Sequence, residues 1–239
     1  MGPIPSDDCD KVYFMDLYIT SYTPTLSALI ESRRPGSQTP LEKPSLLLVA
    51  QPETLDVAWG EINVVKAVGA SVTTLVSEEA TPTTVTESLR GHSFVHFVCH
   101  GLLETGKPFD ASFELHGDKL TLLEIVRSHL PAAEFAFLSA CHTAALTEDS
   151  IADEGLHLAA ATQFCGFRSV VGTLWAMADT DGPYLSKQFY KSIFTEDPDQ
   201  ILVPYHQRSA GALQFAVKKL RKKRGLTLER WVNFVHYGA

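Results

Sequence analysis

The sequence has little cysteine, no long apolar run and no excess of positive charge. Four cysteines in 239 residues, Cys9, Cys99, Cys141 and Cys165, are too few and too scattered for a disulfide framework. That usage fits a reducing interior, so the expected location is cytoplasmic. No apolar stretch approaches the ~20 residues needed to span a bilayer, so a membrane protein is not expected. The start, Met1-Gly2-Pro3-Ile4-Pro5-Ser6-Asp7-Asp8, lacks the basic residues and apolar stretch of a signal peptide. Lysine and arginine number 20 against 28 acidic residues, and the formal charge of -8 argues against nucleic acid as a main partner. CxxC and HExxH spacings, calcium loops and phosphate-cradling glycine loops are all missing. No metal and no obligatory cofactor is therefore expected, and a small-molecule hydrolase is the weaker reading.

What is present is an ordinary globular balance, 45% hydrophobic and 20% charged, in a chain long enough to bury a core. Residues 12–19, which include Asp16, read as a strand, and 27–30 begin a short helix stopped by Pro35-Gly36. Residues 31–44 read as an exposed connector. Residues 45–50 form a continuous apolar run, the mark of a strand covered on both faces. A helix over 55–68 ends at Gly69, a strand follows over 71–76, and Thr81-Pro82 starts a helix through 89. Next come a strand over 94–98, a hairpin of 112–116 and 119–122 around Gly117-Asp118, and a helix over 122–130. Strands at 134–139 and 169–175 alternate with helices at 153–164 and 183–194, and an amphipathic helix covers 209–223.

This alternation predicts an α/β fold, a mostly parallel sheet with helices on both faces. With no repeat and no shift in composition, residues 1–239 read as a single domain, with 1–11 a flexible N-terminal segment. The basic cluster from Lys218 to Arg224 reads as the solvated face of the last helix, its charge suited to the helix C-terminus.

Two predicted strands end in reactive side chains. His100 follows Phe94-Val95-His96-Phe97-Val98 and precedes Gly101, and Cys141 follows Ala136-Phe137-Leu138-Ser139 and precedes His142. Ligands of open parallel sheets bind beyond the carboxyl ends of the strands. The 41 positions that separate the two residues allow one crossover between neighbouring strands. An imidazole facing a thiol suits acyl transfer by a thiolate, with the backbone amides of Gly101 and Cys141 available to the developing oxyanion. Protonated His100 would then return a proton to the leaving amine. A buried packing role for each residue is the alternative on strand pattern alone. His96 and Cys99 are expected to point into the core.

Val95-His96-Phe97-Val98-Cys99-His100-Gly101, together with Leu138-Ser139-Ala140-Cys141-His142-Thr143, resembles the paired signature of the CHAT domain, a family of the caspase-like clan of cysteine peptidases. Gly166-Phe167-Arg168-Ser169-Val170-Val171-Gly172-Thr173-Leu174-Trp175 and the closing Trp231-Val232-Asn233-Phe234-Val235-His236-Tyr237-Gly238 resemble further family segments, in the right order. The resemblance covers nearly the whole chain from about Tyr13. It implies a caspase-like three-layer sandwich, a catalytic histidine at His100 and a nucleophile at Cys141. His142 replaces the glutamate that most members carry after the nucleophile.

The clan often recognises a basic residue through an acidic pocket, so cleavage after Arg or Lys is expected. Asp179, Asp181, Asp16 and Asp153 are the candidate carboxylates; a helix cap is the alternative role for Asp179 or Asp181. Residues 130–167 hold no lysine or arginine, so an enzyme of basic preference would spare its own nucleophile loop. The expected partners are a protein or peptide substrate and a regulatory protein or upstream sensor. A catalytically silent interaction module is the competing function.

Overall fold

The structure, a computed structural model, describes residues 12–34, 44–55, 58–68, 70–102, 110–139, 158–175, 177–178, 180–194, 203–223 and 226–238. The chain enters through two short helices, α1 (Phe14–Leu17) and α2 (Leu26–Ser32), and reaches the sheet at β1 (Ser45–Ala50). β1 shows why the sheet is enclosed. Leu47 and Val49 pack on one side with Val95, Phe97, Ala136 and Leu138, whereas Leu46, Leu48 and Ala50 pack on the other with Phe94, Phe135 and Phe137. Side chains alternate across a strand, so a strand apolar at every position needs cover on both faces.

That cover arrives in chain order. α3 (Ala58–Lys66) leads to β2 (Ser71–Val76), and α4 (Pro82–Leu89) leads to β3 (Phe94–Val98). A small antiparallel sheet of β4 (Gly101–Leu102), β5 (Ser112–Glu114) and β6 (Lys119–Thr121) follows, then α5 (Leu122–Arg127) and β7 (Phe135–Leu138). α6 (Leu158–Gln163), β8 (Ser169–Thr173), α7 (Gly182–Ile193), α8 (Tyr205–Arg221), α9 (Leu228–Val232) and β9 (Phe234–Gly238) complete the chain. The central sheet has the order β2-β1-β3-β7-β8-β9, parallel except for β9, which runs antiparallel to β8. α3, α7 and α8 bury one face, and α4, α5, α6 and the small sheet bury the other. Local signals fix several starts: Thr81 caps α4 ahead of Pro82, and Thr121 and Glu124 form a capping box on α5. Among the described residues no helix is long and apolar enough to cross a membrane.

Two expectations are corrected, and one element is added. Residues 12–19 are not a strand. Asp16 accepts the Tyr13 N–H at 2.9 Å and closes the single turn of α1, while Val12, Phe14, Leu17, Tyr18 and Ile19 remain exposed. The segment reaches the sheet only at Tyr22, which bridges Tyr237 of β9. The C-terminal segment, to which the sequence assigned no element, supplies an edge strand, β9. The basic face of α8 is only partly solvated: Arg221 pairs with Asp16 and lies over the Tyr13 and Trp231 rings, and Lys218 donates to the Asp16 carbonyl. α6 is described only from Leu158, because residues 153–157 lie outside the described set.

Gly238 holds β9 close against β8. Its φ is +127°, and an added Cβ would stand 2.3 Å from the Arg168 carbonyl oxygen. Gly238→Ala should therefore destabilise the chain by about 2–4 kcal/mol, read as a fall of roughly 5–10 °C in thermal midpoint. An unchanged midpoint would show that the edge strand yields freely.

Candidate active site

β3 is buried at all five positions, and the chain leaving it reaches His100, which is half-buried. β7 lies beside it in parallel, with Phe97 opposite Leu138. The Ser139 N–H donates to the Phe97 carbonyl at 2.9 Å, so the two chains remain paired to the end of β7. The crossover expected between His100 and Cys141 therefore joins neighbouring parallel strands. Cys141 itself, with Asp153 and Asp179, lies outside the described residues.

The His100 ring is oriented from one side. Its Nε2 lies 3.0 Å from the Thr54 carbonyl oxygen. A carbonyl can only accept, so Nε2 carries a proton, and Nδ1 is the ring atom left for another partner. Nδ1 is buried and meets no hydrogen-bond partner among the described residues. The Thr54 loop is itself anchored. Gln51 N–H donates to the Val98 carbonyl at 2.9 Å, and the Gln51 side chain donates to the Ser77 and Ala80 carbonyls. The Thr54 hydroxyl and amide both return to the Gln51 carbonyl. The result is an imidazole held in one orientation at a strand end. Sequence reasoning missed Thr54 because the contribution is a backbone oxygen, which any residue type supplies.

Gly101 begins β4 and pairs with Phe113, and the His100 carbonyl accepts the Glu114 N–H at 2.8 Å. The chain beyond His100 is thereby fixed by the small sheet. His96 and Cys99 are fully buried, as their strand positions imply.

The two described carboxylate candidates are both engaged by arginines of the chain. Asp181 is 1% exposed, and its oxygens accept from Arg230 Nε and Nη2 at 2.8 and 2.7 Å. It stands at the N-cap of α7, yet its side chain makes no cap hydrogen bond. The carboxylate stabilises the Arg230 cation and raises its pKa. Asp181 is near the strand end, because the next residue, Gly182, packs against Ser139: a Cβ there would lie 3.1 Å from Ser139 Oγ. Asp16 lies instead against α8, where Arg221 takes both its oxygens at 2.9 Å and, with the Tyr13 N–H, lowers its pKa.

Two other thiols are chemically quiet. Burial pushes Cys165 up to about 12, and burial with the Glu114 charge pushes Cys99 well above the ordinary thiol range. Neither forms a thiolate near neutral pH. Among the described residues no group of three His, Cys, Asp or Glu side chains is placed to hold a metal ion.

Solved structures share this architecture. The arginine-specific cysteine proteinase gingipain R superposes with a TM-score of 0.57 at 12% identity, over 89% of this chain and 50% of that one. The complex of Porphyromonas gingivalis RgpB pro- and mature domains gives 0.55 at 11%, over 89% and 51%. Separase in the Saccharomyces cerevisiae separase–securin complex gives 0.54 at 18%, over 91% of this chain and 14% of that one. The chain thus spans about half of the gingipain chain and a small part of the separase chain, and at these identities the likeness establishes the fold, that of caspase-like cysteine proteases. No curated protein is similar enough in sequence to count as a match. Residues 5–239 match the CHAT domain family model, and the chain belongs to the CHAT domain family.

Proposed function

We propose that the chain is a cysteine endopeptidase in which His100 activates Cys141. The observation that carries this reading is the His100 ring, with Nε2–H committed to Thr54 and Nδ1 without a partner among the described residues, beside the strand that leads to Cys141. Nδ1 takes the thiol proton, and the thiolate attacks the scissile carbonyl carbon. The backbone amides of Gly101 and Cys141 donate to the oxyanion of the tetrahedral intermediate. The intermediate collapses with cleavage of the C–N bond, and the imidazolium gives its proton to the leaving amine. Water, deprotonated by the same ring, hydrolyses the thioester and restores the thiol.

Cleavage after arginine or lysine is the specificity we favour. The fold is shared with a proteinase described as arginine-specific, and Asp181 already holds a guanidinium in the two-pronged geometry such a residue would use. For Asp181 to serve a substrate, Arg230 must leave it; Asp179 and Asp153 are the other carboxylates for that role. Control by a partner protein fits the same reading, since the separase of similar fold is held in a complex with securin.

The test is covalent labelling of the full chain with arginyl, lysyl and aspartyl acyloxymethyl ketones. Labelling by the basic probes that disappears in Cys141→Ala is the expected result. Labelling by the aspartyl probe alone would overturn the specificity, and no labelling with any probe would favour the silent interaction module.

A further inference from the structure

A chain of buried polar side chains runs beneath the strand ends. Glu61 of α3 is 3% exposed, His96 of β3 0%, Ser139 3% and Tyr190 of α7 1%. Ser139 Oγ–H donates to Glu61 Oε2 at 2.8 Å, and His96 Nε2 lies 3.1 Å from Glu61 Oε1. The carboxylate accepts, so Nε2 carries a ring proton, and Nδ1 lies 2.8 Å from the Tyr190 hydroxyl. Burial, and then the Glu61 charge, raises the Tyr190 pKa and keeps the phenol protonated. The His96 ring is stacked on Phe137 of β7, with centroids 4.6 Å apart and planes 5° from parallel. The start of α7 closes on the same carboxylate: a Cβ on Gly182 would meet Glu61 Oε2 at 2.7 Å. Ser139 and His96 thus meet one buried carboxylate, and Ser139 stands two residues before Cys141.

Buried ionic groups are weak stabilisers, and apolar side chains of similar volume often replace them without loss. Fold stability alone therefore gives little reason for a carboxylate here. Its contact gives a better one. Ser139 is held twice, through its backbone to β3 at Phe97 and through its hydroxyl to α3 at Glu61. Two anchors from different elements thus hold Ser139, two residues before Cys141 in sequence. Reactive groups need support to within about half an ångström to act.

We infer that Glu61 is a positioning residue for Cys141, acting through the Ser139 hydroxyl. The inference rests on the proposed role of Cys141 as nucleophile, and its test separates the two. Ser139→Ala, Glu61→Gln and the double variant are compared with wild type in the full chain. The readouts are kcat and KM on an arginyl peptide and the rate at which iodoacetamide alkylates native Cys141, followed by mass spectrometry. Each single variant should lower kcat by about 10-fold with KM within about 2-fold, and slow alkylation to a similar degree. The double variant should be no worse than the poorer single, because both cut one link. Ser139→Ala deletes one hydroxyl and keeps the carboxylate, so it carries the test should Glu61→Gln fail to fold. Folded variants with lower thermal midpoints but wild-type kcat and alkylation rate would overturn the inference, leaving the network a structural one. If wild type neither cleaves the arginyl peptide nor takes up any of the acyloxymethyl ketones, the peptidase reading fails, and the alkylation rates alone decide the positioning role.

Discussion

His100→Ala is expected to lower peptide hydrolysis by about 10⁴-fold or more while leaving the thermal midpoint close to wild type. The large kinetic effect follows from the two jobs assigned to one ring, which takes the thiol proton and later protonates the leaving amine. The small stability effect follows from the site. His100 is half-buried, and the Thr54 carbonyl that it engages belongs to an exposed residue, so water can replace the lost bond. Without the imidazole, the thiol should titrate near its ordinary value of about 8.5, and labelling should rise as the pH is taken through that value. His142, adjacent to the nucleophile in sequence, is the competing imidazole. His142→Ala should retain most activity, and the reverse pattern, with His100→Ala active and His142→Ala dead, would move the base to the other ring.

The parallel strands were legible because Leu46 to Ala50, Phe94 to Val98 and Phe135 to Leu138 are apolar at nearly every position, a pattern that only two-sided burial explains. That pattern put His100 at a strand end and only allowed the strand leading to Cys141 to be its neighbour, which the β3–β7 pairing shows. Residues 12–19 misled for a related reason. Their aromatic and branched composition is strand-like, but one carboxylate, Asp16, closes a helical turn and ties the segment to Arg221, 205 positions away. β9 was hard to read because His236 interrupts its apolar pattern, and the three serines that satisfy that ring come from distant parts of the chain. Asp181 could be found as an acidic residue near a strand end, whereas its occupation by Arg230 could not, since the pair is separated by 49 positions. The Glu61–Ser139 contact spans 78 positions and joins a helix to the residue that follows β7, so it exists only once the sheet has brought them together.

His236 makes the fold sensitive to acid. The ring is 1% exposed, and burial lowers its pKa from 6.5 to about 3. Ser21 Oγ–H donates to the Gly238 carbonyl at 2.7 Å, which leaves the hydroxyl oxygen to accept His236 Nδ1–H, also at 2.7 Å. The Nε2 lone pair then faces the Ser169 and Ser209 hydroxyls at 2.6 and 2.8 Å. The native ring is thus neutral and satisfied as a neutral group. Above pH 6.5 neither state binds the proton, and the full contribution to stability is present. As the pH falls from 6.5 toward 3 the unfolded chain takes up a proton that the folded chain does not, and stability declines by about 1.4 kcal/mol per pH unit. Between about pH 7 and pH 4.5 this residue alone should remove roughly 2–3 kcal/mol. Urea unfolding at the two pH values measures the loss, and His236→Gln, which keeps a donor and an acceptor but cannot titrate, should show a smaller one. Because Ser21 is one of the ring's partners, amide exchange in residues 12–22 should accelerate first. Equal losses in wild type and His236→Gln would mean that the carboxylates, and not this ring, set the acid limit of the fold.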